Sequence, residues 1–132
     1  MRNFVLVGGL GFIGSNILEQ LLIGHDASPY FEKVIVIDNY SNNATVKEAW
    51  EQKCIFLKNS YNDGMVSEAL SSLKGPTTFL FLAGETRVAE SVKRPVDFLQ
   101  ANIMDPATFV VKNVRANDDF ILASTAGALF DG

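Results

Sequence analysis

Four glycines crowd one short stretch near the start of the chain, Phe4-Val5-Leu6-Val7-Gly8-Gly9-Leu10-Gly11-Phe12-Ile13-Gly14-Ser15. Such a stretch suits one kind of chemistry, the holding of an anion by bare main chain. One glycine permits a sharp reversal, one lets N–H groups approach a pyrophosphate, and one lets a helix pack closely on a strand. The first turn of the helix that follows adds unpaired N–H donors and the positive end of its dipole. Roughly two dozen residues after Gly14, Asp38 closes a second apolar run, Val34-Ile35-Val36-Ile37, where a carboxylate can accept ribose hydroxyls. Ala83-Gly84 is small enough to let main chain approach a ligand, and Ser124-Thr125 offers two hydroxyls after a further apolar run. Together these residues fit a dinucleotide. The plainer alternative is a β-α-β unit in which Asp38 caps a turn and Ser124 and Thr125 cap a strand end.

These groups need a scaffold to bring them together. Residues 4–7 predict a first strand, and Ile13, Ile17, Leu18, Leu21 and Leu22 recur at helical spacing behind the glycines. The polar stop Gly24-His25-Asp26-Ala27-Ser28-Pro29 follows, with His25, the sole histidine, expected on the surface. Residues 34–37 predict a second strand, Asn39-Tyr40-Ser41-Asn42-Asn43 a loop, 45–52 a short helical stretch and 54–57 a third strand. Asn62-Asp63-Gly64 opens a helix with Val66, Ala69, Leu70 and Leu73 on one face, closed by Lys74-Gly75-Pro76. A fourth strand over 78–82 lacks polar alternation, as in a strand covered on both faces. Helical periodicity resumes at Pro95 and passes through Leu99 and Ile103 to Val110 and Val114, with Pro106 inside it. An interior proline costs about 3 kcal/mol. The expectation is a kink, or two helices with Asp105 capping the second. Residues 120–123 predict a fifth strand. Strands alternating with helices imply an α/β fold, a Rossmann-type doubly wound parallel sheet in order 3-2-1-4-5. Ligands of such sheets bind at the carboxyl ends of the strands, near the switch between strands one and four.

A length of 132 residues gives one domain, and a hydrophobic fraction of 48% supplies it with a core. Fifteen acidic against eleven basic side chains leave a net charge of −4 with no basic cluster, which argues against a nucleic-acid partner. The single cysteine, Cys54, excludes an internal disulfide, fits a reducing compartment and is expected to be a buried, inert thiol. No apolar run approaches about 18 residues and no secretory leader is legible, so a cytoplasmic protein without membrane contact is expected. No metal site is expected.

Several longer motifs extend the glycine pattern. Gly8-x-x-Gly11-x-x-Gly14-Ser15, Asp38-Asn39 with Ser41-Asn42-Asn43, Leu82-Ala83-Gly84 with Val88-Ala89-Glu90-Ser91-Val92 and Arg94-Pro95, Gln100-Ala101-Asn102, and Ala123-Ser124-Thr125-Ala126-Gly127-Ala128-Leu129-Phe130 succeed one another along the chain. Over nearly its whole length the chain resembles the extended short-chain dehydrogenase/reductase family, in particular the NAD-dependent nucleotide-sugar epimerases and dehydratases such as UDP-galactose 4-epimerase. The resemblance implies NAD as cofactor, bound by Gly8, Gly11, Phe12, Ile13, Gly14, Asp38, Asn39, Ser41, Asn59, Ser60, Ala83, Gly84 and Asn102. It implies hydride chemistry at a sugar carbon, with Thr125, and Ser124 beside it, bonding the reacting hydroxyl. The family's base is a Tyr with a Lys four residues on, because an alcohol is a reluctant acid and needs a tuned base. None exists here: Val34, Ala44 and Met65 follow Tyr30, Tyr40 and Tyr61 at that spacing. In the family that pair and the sugar-nucleotide domain come later in the chain. These residues are therefore expected to bind cofactor and turn over nothing, a nucleotide-sugar being a partner only if a C-terminal part completes the site.

Other departures from the family concern Asn59 or Ser60, in place of an Asp that contacts adenine, Pro106, which disturbs the helix of Asn102, and Phe130, which lacks a hydroxyl. Asp38 favours NAD over NADP, since a 2′-phosphate would meet a carboxylate with no Arg directly after it. Two other readings stay open. One is a non-enzymatic module that senses or sequesters dinucleotide or completes a partner's half-site; the other is a flavin dinucleotide or S-adenosylmethionine on the same fold. Strand five is expected to be an exposed edge that promotes self-association.

Overall fold

β1 (Arg2–Val7) runs through the middle of the sheet, and its Val5, Leu6 and Val7 are wholly buried. Apolar side chains on both faces oblige such a strand to be covered from two sides. β2 (Phe31–Asp38) and β4 (Thr77–Phe81) flank it, with β3 (Ile55–Lys58) and β5 (Asp119–Leu122) outside them. All pairings are parallel, and the order is β3-β2-β1-β4-β5, as the sequence pattern predicts. The crossovers are α1 (Phe12–Glu19), which runs into a π-helical turn (Gln20–Gly24), α2 (Glu48–Glu51) and α3 (Gly64–Ser71). The last crossover comprises α4 (Val88–Lys93), α5 (Pro95–Leu99), a second π-helical turn (Gln100–Met104) and α6 (Asp105–Asn113). The computed structural model describes residues 1–24, 30–42 and 44–124, so the expectations for His25, Asn43 and Thr125 lie outside the described residues. Among the described residues no helix is long and apolar enough to cross a membrane.

Alternate residues of each strand serve opposite faces. Phe4 and Leu6 join Leu18, Leu22, Val34, Val36 and Trp50 beneath α1 and α2, whereas Val5 and Val7 join Ile35, Ile37, Val66, Leu70 and Phe109 beneath α3 and α6. Phe109, wholly buried, stands edge-on to Phe79 and Phe81 at 5.7 and 5.5 Å between ring centroids. On the outer strand β5, Ile121 and Leu122 are about half exposed.

Three local expectations are corrected. Ile13 belongs to the helical periodicity but is 58% exposed; the buried stripe of α1 is centred on Gly14 and Leu18, because Gly14 sits directly on the backbone of Gly9. The segment before Pro95 contains α4, whose lack of any buried residue leaves it without the apolar stripe that would announce a helix. Asp105 does not N-cap α6 but is its first residue: its φ and ψ are −69° and −44°, helical values, and its N–H reaches back to the Gln100 carbonyl at the end of the π-helical turn. The wide turn there accommodates Pro106 in the first turn of α6, where a missing N–H costs little.

At the opposite rim from the glycines, Arg115 and Asp118 lock α6 to the sheet. The guanidinium donates to Asp118, to the Leu73 and Gly75 carbonyls and to Thr77 Oγ1, while the Asp118 carboxylate accepts the Thr77 N–H at 2.7 Å. Burial pushes the Asp118 pKa up, but hydrogen bonds from Arg115 and the Thr77 N–H outweigh it and the net shift is downward from 3.8. A depressed folded pKa means stability that is complete above the unfolded value and is lost as pH falls through the folded one. Asp118→Asn should therefore cost about 2 kcal/mol at neutral pH. It should also flatten the stability profile below pH of about 4, both read from denaturant titrations across pH.

Candidate functional site

The parallel register aligns the strand ends. Val7 lies beside Ile37 and Phe81, and Phe81 beside Leu122, so Gly8, Asp38, Ala83 and Ser124 emerge along one rim. The Gly8 N–H donates to the Ile37 carbonyl at 2.8 Å, and its φ of +75° is one that side chains rarely adopt. A Cβ on Gly8 would also lie 2.7 Å from the Ala83 nitrogen, which explains why the chain leaving β4 can pass so close. Gly9, which with Gly11 and Gly14 also satisfies the general Gly-x-Gly-x-x-Gly dinucleotide signature, packs against β2, where a Cβ would meet Val36 Cγ1 at 2.6 Å. Consecutive glycines were the available signal.

Gly11 differs from these. A Cβ there would find only the Gly8 carbonyl oxygen at 3.7 Å, so its bareness serves no contact within the chain. It precedes α1 in extended conformation with no side-chain cap, and the first turn of α1 carries no acidic residue. The N–H groups of that turn have no intrahelical acceptors and meet no competing carboxylate on their own helix. Phe12 and Ile13 expose their side chains there, at 87% and 58%.

Asp38 ends β2 with both carboxylate oxygens engaged: Oδ2 accepts the Leu10 N–H at 2.9 Å and Oδ1 the Tyr40 N–H at 2.8 Å. The acid is thus joined directly to the glycine turn. A carboxylate has about four acceptor positions, so capacity remains for hydroxyls. Tyr40 follows at a φ of +58°, rare for so bulky a residue, and Asn39 Oδ1 accepts the Ser41 N–H at 3.0 Å. Asn59 and Ser60 lie beyond β3, Asn59 half-buried and Ser60 exposed.

Asn102 is exposed, and its amide bonds back to the chain. Its Oδ1 accepts the Glu85 N–H at 2.8 Å and its Nδ2 donates to the Glu85 carbonyl at 2.9 Å, clamping the chain just after Ala83 and Gly84. A Cβ on Gly84 would come within 2.9 Å of that Oδ1, so the glycine makes room for the clamp. No sequence pattern announces this pairing. Ser124 is exposed just past β5, beside Thr125, which is outside the described residues.

None of the three tyrosines is placed as a base. Tyr61 is a core residue, edge-on to Phe81 at 4.9 Å, and burial, with the charge of Asp105, pushes its phenol up to about 12. Burial likewise raises Tyr40, helped by the charges of Asp38 and Glu51. Tyr30 is 71% exposed just before β2, at the rim opposite the carboxyl ends of the strands. Burial raises Cys54 to about 11, which makes it a poor nucleophile at neutral pH.

A parallel sheet in this order, with a glycine turn at the switch point and a carboxylate ending the next strand, defines a Rossmann-type α/β domain. The chain belongs to the NAD dependent epimerase/dehydratase family, whose model matches residues 4–129. It is 30% identical over 125 residues to the UDP-glucose 4-epimerase of Rhizobium meliloti, an alignment spanning 94% of this chain and 35% of that protein. It is 31% identical over 121 residues to the dTDP-glucose 4,6-dehydratase of Haemophilus influenzae, spanning 89% of this chain and 34% of that one. Among solved structures, the UDP-glucose 4-epimerase of Thermotoga maritima with UDP-glucose superimposes with a TM-score of 0.73 at 31% identity, over 96% of this chain and 39% of that one. The Thermus thermophilus UDP-glucose 4-epimerase in complex with NAD gives 0.63 at 26% identity, over 85% and 33%. The chain thus spans about 35% of the length of the curated relatives it matches.

Proposed function

We propose that these residues form the NAD-binding portion of a nucleotide-sugar epimerase or dehydratase. The observation that carries this reading is the pairing of an open Gly11 with an Asp38 already joined to the glycine turn through the Leu10 N–H. Main-chain N–H groups around Gly8, Gly11, Phe12, Ile13 and Gly14 would hold the pyrophosphate. Asp38, with Asn39 and Ser41, would take the adenosine ribose, and Asn59 and Ser60 would flank the adenine. Ala83 and Gly84 give close main-chain access further along the rim, with Asn102 holding that access open by its clamp on Glu85. Bound NAD supplies a hydride acceptor for a sugar carbon. Ser124 and Thr125 would bond the reacting hydroxyl.

Proton removal is not within reach of these residues alone, since Tyr61 is buried among aromatic rings and no Tyr-x-x-x-Lys occurs in the sequence. By itself the chain should bind without turnover, and the same observation supports a second reading, in which it serves as a dinucleotide-binding module or as half of a site completed by another chain. Titration calorimetry should show NAD(H) binding, with NADP(H) weaker by about tenfold. UDP-glucose should not be epimerised by the chain alone. Folded protein that binds neither dinucleotide would refute the reading, and turnover of UDP-glucose would refute the claim of inactivity.

A further inference from the structure

Asp38 has a basic neighbour that the sequence pattern did not single out. Lys58 is its direct register partner across β2 and β3. Strand alternation puts both on the α1/α2 side of the sheet, together with Val36 and Phe56. The Lys58 ammonium stands 4.8 Å from the centroid of the Tyr40 ring. That ring is itself fixed. Tyr40 packs on the apolar cluster beneath α1 and α2, its N–H is held by Asp38 Oδ1, and its φ of +58° is a conformation bulky residues seldom adopt. The backbone is thus turned in a way that presents the ring to the lysine, two residues on from the carboxylate. Among the described residues Lys58 forms no ion pair, whereas Lys47, Lys93, Arg87 and Arg115 all do. The corner is otherwise acidic: after burial, the charges of Asp38 and Glu51 are what raise the Tyr40 phenol.

We infer that Lys58, held over Tyr40 beside Asp38, is a specificity-determining residue of the adenosine subsite, a cation that partly offsets the repulsion of a 2′-phosphate by Asp38 and so narrows the discrimination between NAD and NADP. The inference rests on the proposed cofactor reading. A carboxylate alone at this position rejects the phosphate, and a nearby basic group is the general means of accepting it. Lys58 is exposed, so its contribution is that of a solvent-screened charge.

The test is the ratio of NADP to NAD dissociation constants, measured by calorimetry at low and moderate salt on the unaltered chain and on Lys58→Gln, Lys58→Glu and Lys58→Arg. Lys58→Gln should widen the ratio by about threefold to fivefold, the scale of one exposed ion pair. Lys58→Glu should widen it further, Lys58→Arg should restore it, and added salt should shrink the difference. An unchanged ratio in Lys58→Gln, or NADP binding too weak to detect beside measurable NAD binding in the unaltered chain, would overturn this inference while leaving the cofactor reading intact. Failure of the unaltered chain to bind NAD would overturn both.

Discussion

Gly14→Ala should lose both stability and cofactor binding, whereas Gly11→Ala should lose binding alone. A Cβ at Gly14 would lie 2.6 and 2.7 Å from the carbonyl carbon and Cα of Gly9, main-chain atoms that cannot rotate aside. Relief requires α1 to lift from the end of β1, and Leu18 with it. Overpacking against backbone of this kind costs about 3 kcal/mol. It also moves the N–H groups of the first turn away from any anion they are to meet, so NAD affinity should fall at least about tenfold. At Gly11 the added carbon meets nothing nearer than 3.7 Å and the backbone is extended, so denaturant titration should find the variant within about 1 kcal/mol of its parent. Calorimetry should nevertheless show weakened binding, because under the proposed reading the methyl would intrude where the pyrophosphate is to meet the first turn of α1. Equal stability of Gly14→Ala and the parent would show that the turn is looser than these distances require.

Removing the carboxylate of Asp38 should have the second large effect. Asp38→Ala leaves the N–H groups of Leu10 and Tyr40 without their acceptor. A hydrogen bond to a charged group contributes about 1.5–3 kcal/mol when well shielded, and Asp38 is only half-buried, so a loss of about 2 kcal/mol for the pair is expected. Under the proposed cofactor reading the ribose would lose its acceptor at the same time as the glycine turn loses its tie to β2, so NAD affinity should fall about a hundredfold. NADP should fall less, because its phosphate no longer faces a carboxylate while Lys58 remains beside it. A decrease of no more than about twofold for NAD would remove Asp38 from the site.

Most of the architecture could be read from residue order. Apolar runs covered on both faces, alternating with helical periodicity, leave few ways to arrange parallel strands, and the observed order is the expected one. What could not be read was set by contacts distant in sequence. Asp38 was expected to await a ribose, yet it also binds Leu10, a tie of main chain to side chain with no mark in either residue. Asn102 was expected to touch cofactor through the family resemblance; its amide is occupied with Glu85. Pro106 was correctly read as a disturbance of the helix, but the remedy, a wide turn over Gln100–Met104, depends on neighbours that periodicity does not see. Tyr40 illustrates the same limit, since nothing in its type foretells a positive φ.

The amide of Asn102 offers Glu85 one donor and one acceptor, the same pair that a peptide group of an adjacent strand would present. The segment leaving β4 is therefore stitched as if the sheet continued beside it, although the stitch is anchored in a helix. Rim and helix become a single mechanical unit, so that fraying of Gln100–Met104 on warming would release Glu85 in the same event.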